Sequence, residues 1–427
     1  MAATEPKSMS PLLGSIVAAA CALPGVMPTQ AWAEDAPELG VISFKLSGYR
    51  DAQLGQGGRP GTAGAASERA SALSAKLIGD GQSLSTISRA SGGGFGGLGG
   101  GGENSFERIH VTSPSVYALV PLGRQWAAEG SLTVDDVSGA SPAYYTDMKG
   151  ASNMVDRRKA GDLKLTHYAG RQTYALGLSH SKESDYLSNA VSAEARFSSE
   201  DQNTTFNVGL GLTRDTIDPT TKIVSNEKKR TTEAQFGITQ ALSPIDLVQA
   251  SFTFSRANGY LNDPYKLNDD RPRNRNAEVL QLRWNHWFGG SALKLAYRLY
   301  HDSFSVLAHT IDLGLAIPFS PTFTITPAFR YYTQSAANFY ADPSALAAVY
   351  PGPVGTPAYF SADQRLSAFG AITGGMKAEW RVASDWTLDA KFDFYQQKSS
   401  YRLIGHGSPG LNTLNAGMWQ LGLSHSF

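Results

Sequence analysis

The chain has 427 residues, in which 37 Lys and Arg balance 37 Asp and Glu, and this zero net charge argues against binding of nucleic acid through bulk positive charge. Charged residues make up 17% of the chain, less than the roughly 25% of soluble domains, while the 10% of aromatic residues is too high for a disordered chain. Beyond residue 33 no apolar run approaches the ~18 residues of a membrane-spanning helix, which excludes a helical membrane protein.

Residues 1–33 are predicted to be a cleaved signal peptide. Lys7 precedes an apolar stretch from Leu12 to Val26, and Ala31-Trp32-Ala33 fits the small-x-small cleavage rule. A buried N-terminal helix is the alternative. The only cysteine, Cys21, lies inside this peptide, so the mature chain would form no disulfide, no thiolate metal site and no cysteine nucleophile.

The next unusual segment is a glycine-rich insert at about 55–105, which contains an almost continuous glycine run from Gly92 to Gly102. A phosphate-binding loop would need a Lys followed by Ser or Thr at the end of this run, and neither is there. The composition therefore predicts a flexible surface loop.

From about Gly40 to the end, apolar residues alternate with polar ones in runs longer than the roughly 5–6 residues of an ordinary strand. Leu293, Leu295 and Tyr297 alternate in this way with Lys294 and Ala296. Since side chains at i and i+2 share a face, each strand would have one apolar and one polar face.

The connections between these runs alternate between short and longer. Longer connections are predicted at about 53–105, 137–159, 182–187, 215–228, 258–275, 301–305, 336–364 and 398–411. The Pro- and Tyr-rich segment 336–364 suits an ordered outer loop or one that folds into a pore mouth. Between them lie short turns near Pro121-Leu122-Gly123, Ala169-Gly170-Arg171, Glu200-Asp201, Ser243-Pro244, Gly289-Gly290, Ser320-Pro321 and Ala383-Ser384.

An even number of strands, with short turns on one side and longer loops on the other, is typical of outer-membrane barrels. We therefore predict that 34–427 form a single antiparallel transmembrane β-barrel of about 16 strands, with 14 as the alternative count, exported to the outer membrane of a Gram-negative cell. Aromatic residues near strand ends would form interfacial girdles: Trp126, Trp284, Trp287, Phe288, Trp386 and Trp419.

The last strand alternates to a C-terminal phenylalanine, Phe427. This ending resembles the signal that outer-membrane barrels present to their assembly machinery, although a single terminal Phe in any other β protein would carry no such meaning.

Charged residues on the polar face are predicted to line the lumen. Seven acidic and seven basic residues would make either a polar pore with weak ion selectivity or a lumen closed by cross-strand ion pairs. A barrel of about 16 strands is wide enough for a water channel. The fourteen residues are Glu129, Asp162, Lys164, Glu194, Arg196, Glu233, Arg283, Lys294, Arg298, Asp312, Arg330, Asp389, Lys391 and Asp393.

A second set of charges is predicted at the outer rim. The carboxylates suit Ca²⁺, the arginines suit lipopolysaccharide phosphates, and solvated rim salt bridges are the simpler alternative. This set comprises Asp135, Asp136, Asp263, Asp269, Asp270, Asp302 and Asp342 with Arg271, Arg273 and Arg275.

The one specific catalytic hypothesis is a hydrolase site, because His301 and Asp302 lie close in sequence to Ser303 and Ser305, and Ser, His and an acid together can activate a nucleophile. Adjacent residues of a strand point to opposite faces, however, so His301 and Asp302 would share a site only if the chain bends there. The histidines show no metal-ligand spacing, and we expect no metal and no cofactor.

Several stretches resemble a bacterial family known as domain of unknown function 3570, a set of predicted outer-membrane barrels. They are VDDVSGASP from Val134, GYLNDPYK from Gly259, RPRNR from Arg271, YRLYHDSF from Tyr297 and RYYTQSAANFY from Arg330. The resemblance runs from about Phe106 to Phe427 and implies a fold and a location, but no catalytic residues. It also implies genes for thioredoxin-like and flavin-transferase-like proteins nearby, which suggests a redox-related partner.

The sequence thus favours a non-enzymatic outer-membrane channel for small polar solutes. The alternatives are a non-conducting barrel that docks a periplasmic or surface partner, and an outer-membrane hydrolase. Outer-membrane lipid and the assembly machinery are expected as partners, whereas nucleic acid is not.

Overall fold

A computed structural model describes residues 35–54, 105–139, 154–220, 222–264, 269–342 and 359–427. The predicted signal peptide and most of the glycine-rich insert lie outside these residues. Sixteen strands form one closed antiparallel barrel in which every strand pairs with its neighbours in the chain, so the fold prediction is confirmed at the higher strand count. The strands are β1 Val41–Leu54, β2 Ser105–Pro121, β3 Trp126–Gly139, β4 Met154–Ala169, β5 Gln172–Lys182, β6 Tyr186–Ser198, β7 Thr204–Ile217, β8 Glu227–Ser243, β9 Asp246–Gly259, β10 Asn274–Trp287, β11 Ala292–Asp302, β12 Leu307–Ser320, β13 Phe323–Gln334, β14 Phe369–Arg381, β15 Trp386–Lys398 and β16 Thr413–Ser426.

The barrel closes between its first and last strands. The β1–β16 ladder begins where Val41 faces Ser426. Beyond it, the Gly40 and Phe427 backbones exchange hydrogen bonds of 2.8 and 2.9 Å. Closure leaves no free strand edge, which a sheet surrounded by lipid requires.

Alternation explains why these segments are strands. The outward face of each carries large apolar side chains that are exposed in the isolated chain, for example Leu132 at 68%, Leu176 at 67% and Leu210 at 57%. Lipid would cover this band, so the protein is an outer-membrane β-barrel. No helix among the described residues is long and apolar enough to cross a membrane.

Tryptophans mark the rim on the side of the short turns. Trp126 and Trp386 begin strands that follow such turns, and Trp380 lies close to the end of β14. Trp419 lies flat over Gly48, where a Cβ atom would come within 2.3 Å of the indole ring. The glycine therefore makes room for the indole of the neighbouring strand.

Two of the longer connections are shorter than predicted. The β3–β4 ladder continues to the pair Gly139 and Met154, inside the predicted loop 137–159. Arg157 and Arg158 pair with Asp136 and Asp135 on the facing strand, at 2.5 and 2.6 Å, so charged pairs extend the ladder where apolar alternation ends. Likewise β5 and β6 are joined by 183–185 alone.

Candidate functional site: lumen wall and outer cap

The fourteen predicted lumen residues all lie on the face opposite the apolar band. In β11, Lys294 and Arg298 alternate with the outward-facing Leu293 and Leu295, and register places Lys294 opposite Gly314. The same alternation holds along the other strands that carry predicted lumen residues, which are β3, β4, β6, β8, β10, β12, β13 and β15. That these residues line a conducting pore stays a prediction.

One part of the wall, β3 to β6, holds its charges in pairs; we call it the paired wall. Lys164 contacts Glu129 at 2.8 Å, and Arg196 contacts Glu194 at 3.6 Å. The four side chains, with Thr166 and Tyr168 among others, line a small recess in the wall. Cations and carboxylates neutralise each other here.

The remaining predicted acids are spread around the barrel. Asp312 pairs with Arg330, and Asp393 with Lys391 at 2.7 Å. Three others accept hydrogen bonds from neutral groups: Asp162 from Ser131 at 2.9 Å, Glu233 from Ser255 at 3.1 Å and Asp389 from Gln420 at 3.2 Å.

Three predicted cations differ from the rest. Among the described residues, Arg283, Lys294 and Arg298 form no salt bridge; we call these three the basic strip. Neutral amides surround Arg283 instead: Gln249 accepts from it at 3.4 Å, and the Gln281 oxygen, in the orientation that satisfies both groups, accepts at 3.1 and 3.2 Å. Arg298 stacks over the ring of Tyr300 at 5.7 Å.

Several inward charges were missed by the sequence reasoning. Lys377 pairs with Glu379 at 3.0 Å, and Lys45 lies near Asp389. Lys45 stands between Phe44 and Leu46 in a regular alternation, so the pattern that identified the other lumen residues would have found it.

Part of the outer mouth is covered by a folded group of loops. Phe304, Val306, Ala337 and Leu366 form a buried apolar cluster, against which Leu261, Tyr300, Phe339 and Tyr340 pack. Tyr300 is an inward residue of β11, so this cluster sits on the lumen wall above the basic strip. We call the described loop residues 335–342 and 359–368, with 303–306, the outer cap. The prediction of a loop folded into the mouth fits its described part.

A buried ionic network fastens the outer cap. Asp363 is fully buried and accepts from Arg365 and from Arg271, the latter at 2.7 Å. Arg271 also contacts Asp269 at 2.9 Å, and Arg365 contacts Asp263 at 2.7 Å. Burial lowers the pKa of the Arg365 guanidinium, but the adjacent carboxylates outweigh it, so the net shift is upward.

The rim arginines therefore hold protein carboxylates. Arg271 belongs to the network of the outer cap, Arg273 contacts Glu227 at 2.6 Å, and Arg275 contacts Asp302. Asp363 and Arg365 were missed, because their partners are distant in sequence and nothing local marks them.

The residues of the hydrolase hypothesis do not come together. Asp302 is buried and accepts from Arg275, from Tyr300 at 2.7 Å and from the Phe304 backbone at 2.9 Å. His301 lies on the outward face, opposite Glu278.

Three carboxylates meet at the outer end of the paired wall. The ligand atoms of Asp156, Glu183 and Asp185 lie within 4.8 Å of one another, close enough to hold a metal ion. Burial, together with the nearby Asp156 carboxylate, raises the pKa of Glu183 to about 7. The sequence reasoning did not identify this group.

The chain belongs to the family described as protein of unknown function (DUF3570), whose model matches residues 146–417. This confirms the resemblance seen in the loop and strand-end motifs. No curated protein matches the chain significantly.

Among solved structures, similar folds include a FadL homologue from Pseudomonas aeruginosa, with 11% identity over 91% of this chain and 90% of that one and a TM-score of 0.40. The toluene transporter TodX from P. putida shows 10% identity over 92% and 90%, with a TM-score of 0.38. CdiB from Acinetobacter baumannii shows 10% identity over 89% and 60%, with a TM-score of 0.43. At such TM-scores these likenesses say nothing about the solute of this protein.

Proposed function

We propose that this barrel is an outer-membrane channel for small polar solutes. The observation that carries the proposal is that charged side chains on the inner face remain open to water. Asp162 and Lys294 are exposed although they face the lumen, and the Arg330 side chain is 57% exposed. A lumen plugged by its own side chains would bury these groups.

The polar inner wall supports transport of polar rather than apolar solutes. Paired charges and amides line it, and the large apolar side chains face the other way. The outer cap covers only part of the mouth in the described residues, above β11 to β13, so it would narrow the entrance and select by size.

The test is conductance of the refolded full chain in a planar bilayer. We expect steady openings in KCl, with weak selectivity because the charges of the whole lumen nearly balance. Heat-shifted mobility on a detergent gel and a β-rich circular dichroism spectrum would first establish folding. A folded barrel that passes no current at any voltage would overturn the proposal.

The outer cap favours a second candidate, a barrel that docks a partner without conducting. Its buried apolar cluster and ionic network show an ordered surface at the mouth rather than loose loops. Absence of current together with saturable binding of a cell-surface component, lost on mild proteolysis of the outer loops, would favour this function.

A further inference from the structure

The lumen is balanced in total charge but uneven in its distribution. Two predicted acids, Asp162 and Glu233, accept hydrogen bonds only from neutral side chains and lie apart on β4 and β8, whereas Asp389 of β15 lies near Lys45. The three cations without a carboxylate partner all lie on two adjacent strands, β10 and β11. Positive potential is therefore concentrated at one place.

Register shows that the basic strip is a column. Lys294 and Arg298 share a face of β11 and are four residues apart, about 14 Å at the usual rise per residue. Arg283 faces Ala296, midway between them. The three cations thus follow one another along the wall, from the short-turn side toward the outer cap.

Neighbouring strands do not neutralise the column. On β12, Asp312 stands opposite Ala296, but it pairs with Arg330 of β13. Four cations therefore face one carboxylate on this part of the wall. Small residues leave space beside them, since Ala296 lies in the column and Gly314 stands opposite Lys294.

Resting on the proposed channel function, we propose that the basic strip is a binding site for small oxyanions, that is, solutes bearing a carboxylate or a phosphate. Guanidinium groups bind both through paired N–H donors, and the lysine adds a point charge. The amides of Gln249 and Gln281 hold Arg283 in place without cancelling its charge. An anion would pass from Arg298 to Arg283 to Lys294 along the wall.

The strip variant R283Q/K294Q/R298Q tests this directly. Inorganic phosphate and succinate are titrated into a chloride current, and the concentration that halves the current is measured. We expect this half-blocking concentration to be at least tenfold higher in the variant for one or both anions. In the wild type, the block should weaken at 1 M salt, where charges are screened. Equal half-blocking concentrations in both proteins would overturn the proposal.

The matched control is R124Q/R171Q/K222Q, which removes the same charge from exposed turns and loops and should stay within twofold of wild type. If the strip variant does not fold, K294Q and R298Q are measured singly, each with a smaller shift in the same direction. Calorimetric titration of phosphate and succinate in detergent separates the two ideas. If the wild type binds these anions and the strip variant does not, while neither protein passes current, the oxyanion site is supported and the channel function is rejected.

An independent observation lies on the outer surface of the barrel. Arg214 of β7 stands directly opposite Arg230 of β8, and Lys159 of β4 stands directly opposite Lys182 of β5. All four are exposed on the outward face, near the longer loops. Like charges directly opposite each other destabilise a sheet unless something offsets them.

These four cations and the exposed Arg256, here called the outer belt, form no salt bridge among the described residues. They follow the apolar band, since Arg214 and Arg256 stand two residues beyond the outward-facing Leu212 and Phe254, toward the longer loops. We infer that the outer belt binds the phosphate groups of outer-leaflet glycolipid. This site replaces Arg271, Arg273 and Arg275, which engage protein carboxylates instead.

The test compares R214Q/R230Q/R256Q with wild type in mixed micelles of detergent and diphosphoryl lipid A. The lipid should raise the unfolding temperature of the wild type, and the rise should be lost in the variant but kept in R283Q/K294Q/R298Q. The inference would be overturned if dephosphorylated lipid A raised the unfolding temperature of the wild type equally, or if diphosphoryl lipid A raised that of R214Q/R230Q/R256Q as much as that of the wild type.

Discussion

Two parts of the same lumen wall carry similar residues and differ in what those residues face. On the paired wall, Lys164 and Arg196 have Glu129 and Glu194 beside them. On β10 and β11, Arg283 has two glutamines and Arg298 a tyrosine. On the paired wall each of these cations is neutralised by a carboxylate, whereas the basic strip keeps its charge.

The difference shows that a count of charges does not describe a pore. Seven acids and seven bases predict a lumen without preference, but a solute meets one wall at a time. Over the distance of a Debye length, about 8 Å at physiological salt, only the local charges act on it. The outer cap adds to the asymmetry, because it packs on Tyr300 above the basic strip.

The largest effect is expected from D363N, which removes the buried carboxylate that holds the outer cap. Arg271 and Arg365 would lose their shared partner, and breaking a buried ion pair costs about 3–5 kcal/mol. The outer cap should come away from the wall above the basic strip. We expect tryptic cleavage after Arg365 to be at least tenfold faster and the conductance to rise.

The control for this variant is E227Q, which breaks the exposed pair with Arg273. Exposed pairs contribute only ~0–1 kcal/mol, so neither cleavage nor conductance should change. If D363N is cleaved and conducts like wild type, the network does not hold the cap in place.

A smaller effect is expected from E129Q, which would make the paired wall resemble the basic strip. The glutamine can still accept the hydrogen bond of Tyr117, but Lys164 loses its carboxylate. We expect phosphate to block the chloride current at a concentration two- to fivefold lower than in wild type.

D162N is the matched control, since it removes one negative charge from the same wall without freeing a cation. In D162N, the phosphate concentration that blocks the chloride current should equal that of the wild type within error. If D162N and E129Q act alike, total charge governs the block, and the distinction between the two walls has no functional meaning.

Alternation made the barrel predictable, because lipid on one side and water on the other impose a period of two on every strand. The same rule identified Arg283 as an inward residue. It did not reveal that Gln249 and Gln281 surround Arg283, since the contact with Gln249 depends on the register between β9 and β10. The alternation within one strand predicts which side chains face inward, whereas their contact partners also depend on how the neighbouring strands pair.

The outer cap was less predictable for a related reason. The segment 336–364 suggested a loop at the mouth from its composition, but the Arg271–Asp363 contact joins residues 92 positions apart. Such a contact leaves no periodic trace in the sequence. The Asp156, Glu183 and Asp185 group was hidden likewise, because Asp156 lies on β4 while the other two follow β5.

The smallest effect concerns this acidic group at the outer end of the paired wall. The pKa of Glu183 rises from 4.5 to about 7, so the folded protein binds a proton there that the unfolded chain releases. Between these values stability must fall as the pH rises, and above pH 7 the full penalty applies. E183Q removes the charge, so its unfolding temperature should match wild type near pH 4.5 and exceed it at pH 8. The exposed turn residue Glu200 supplies the control E200Q, which should follow wild type throughout. If E183Q and wild type keep the same difference at both pH values, Glu183 does not carry this titration.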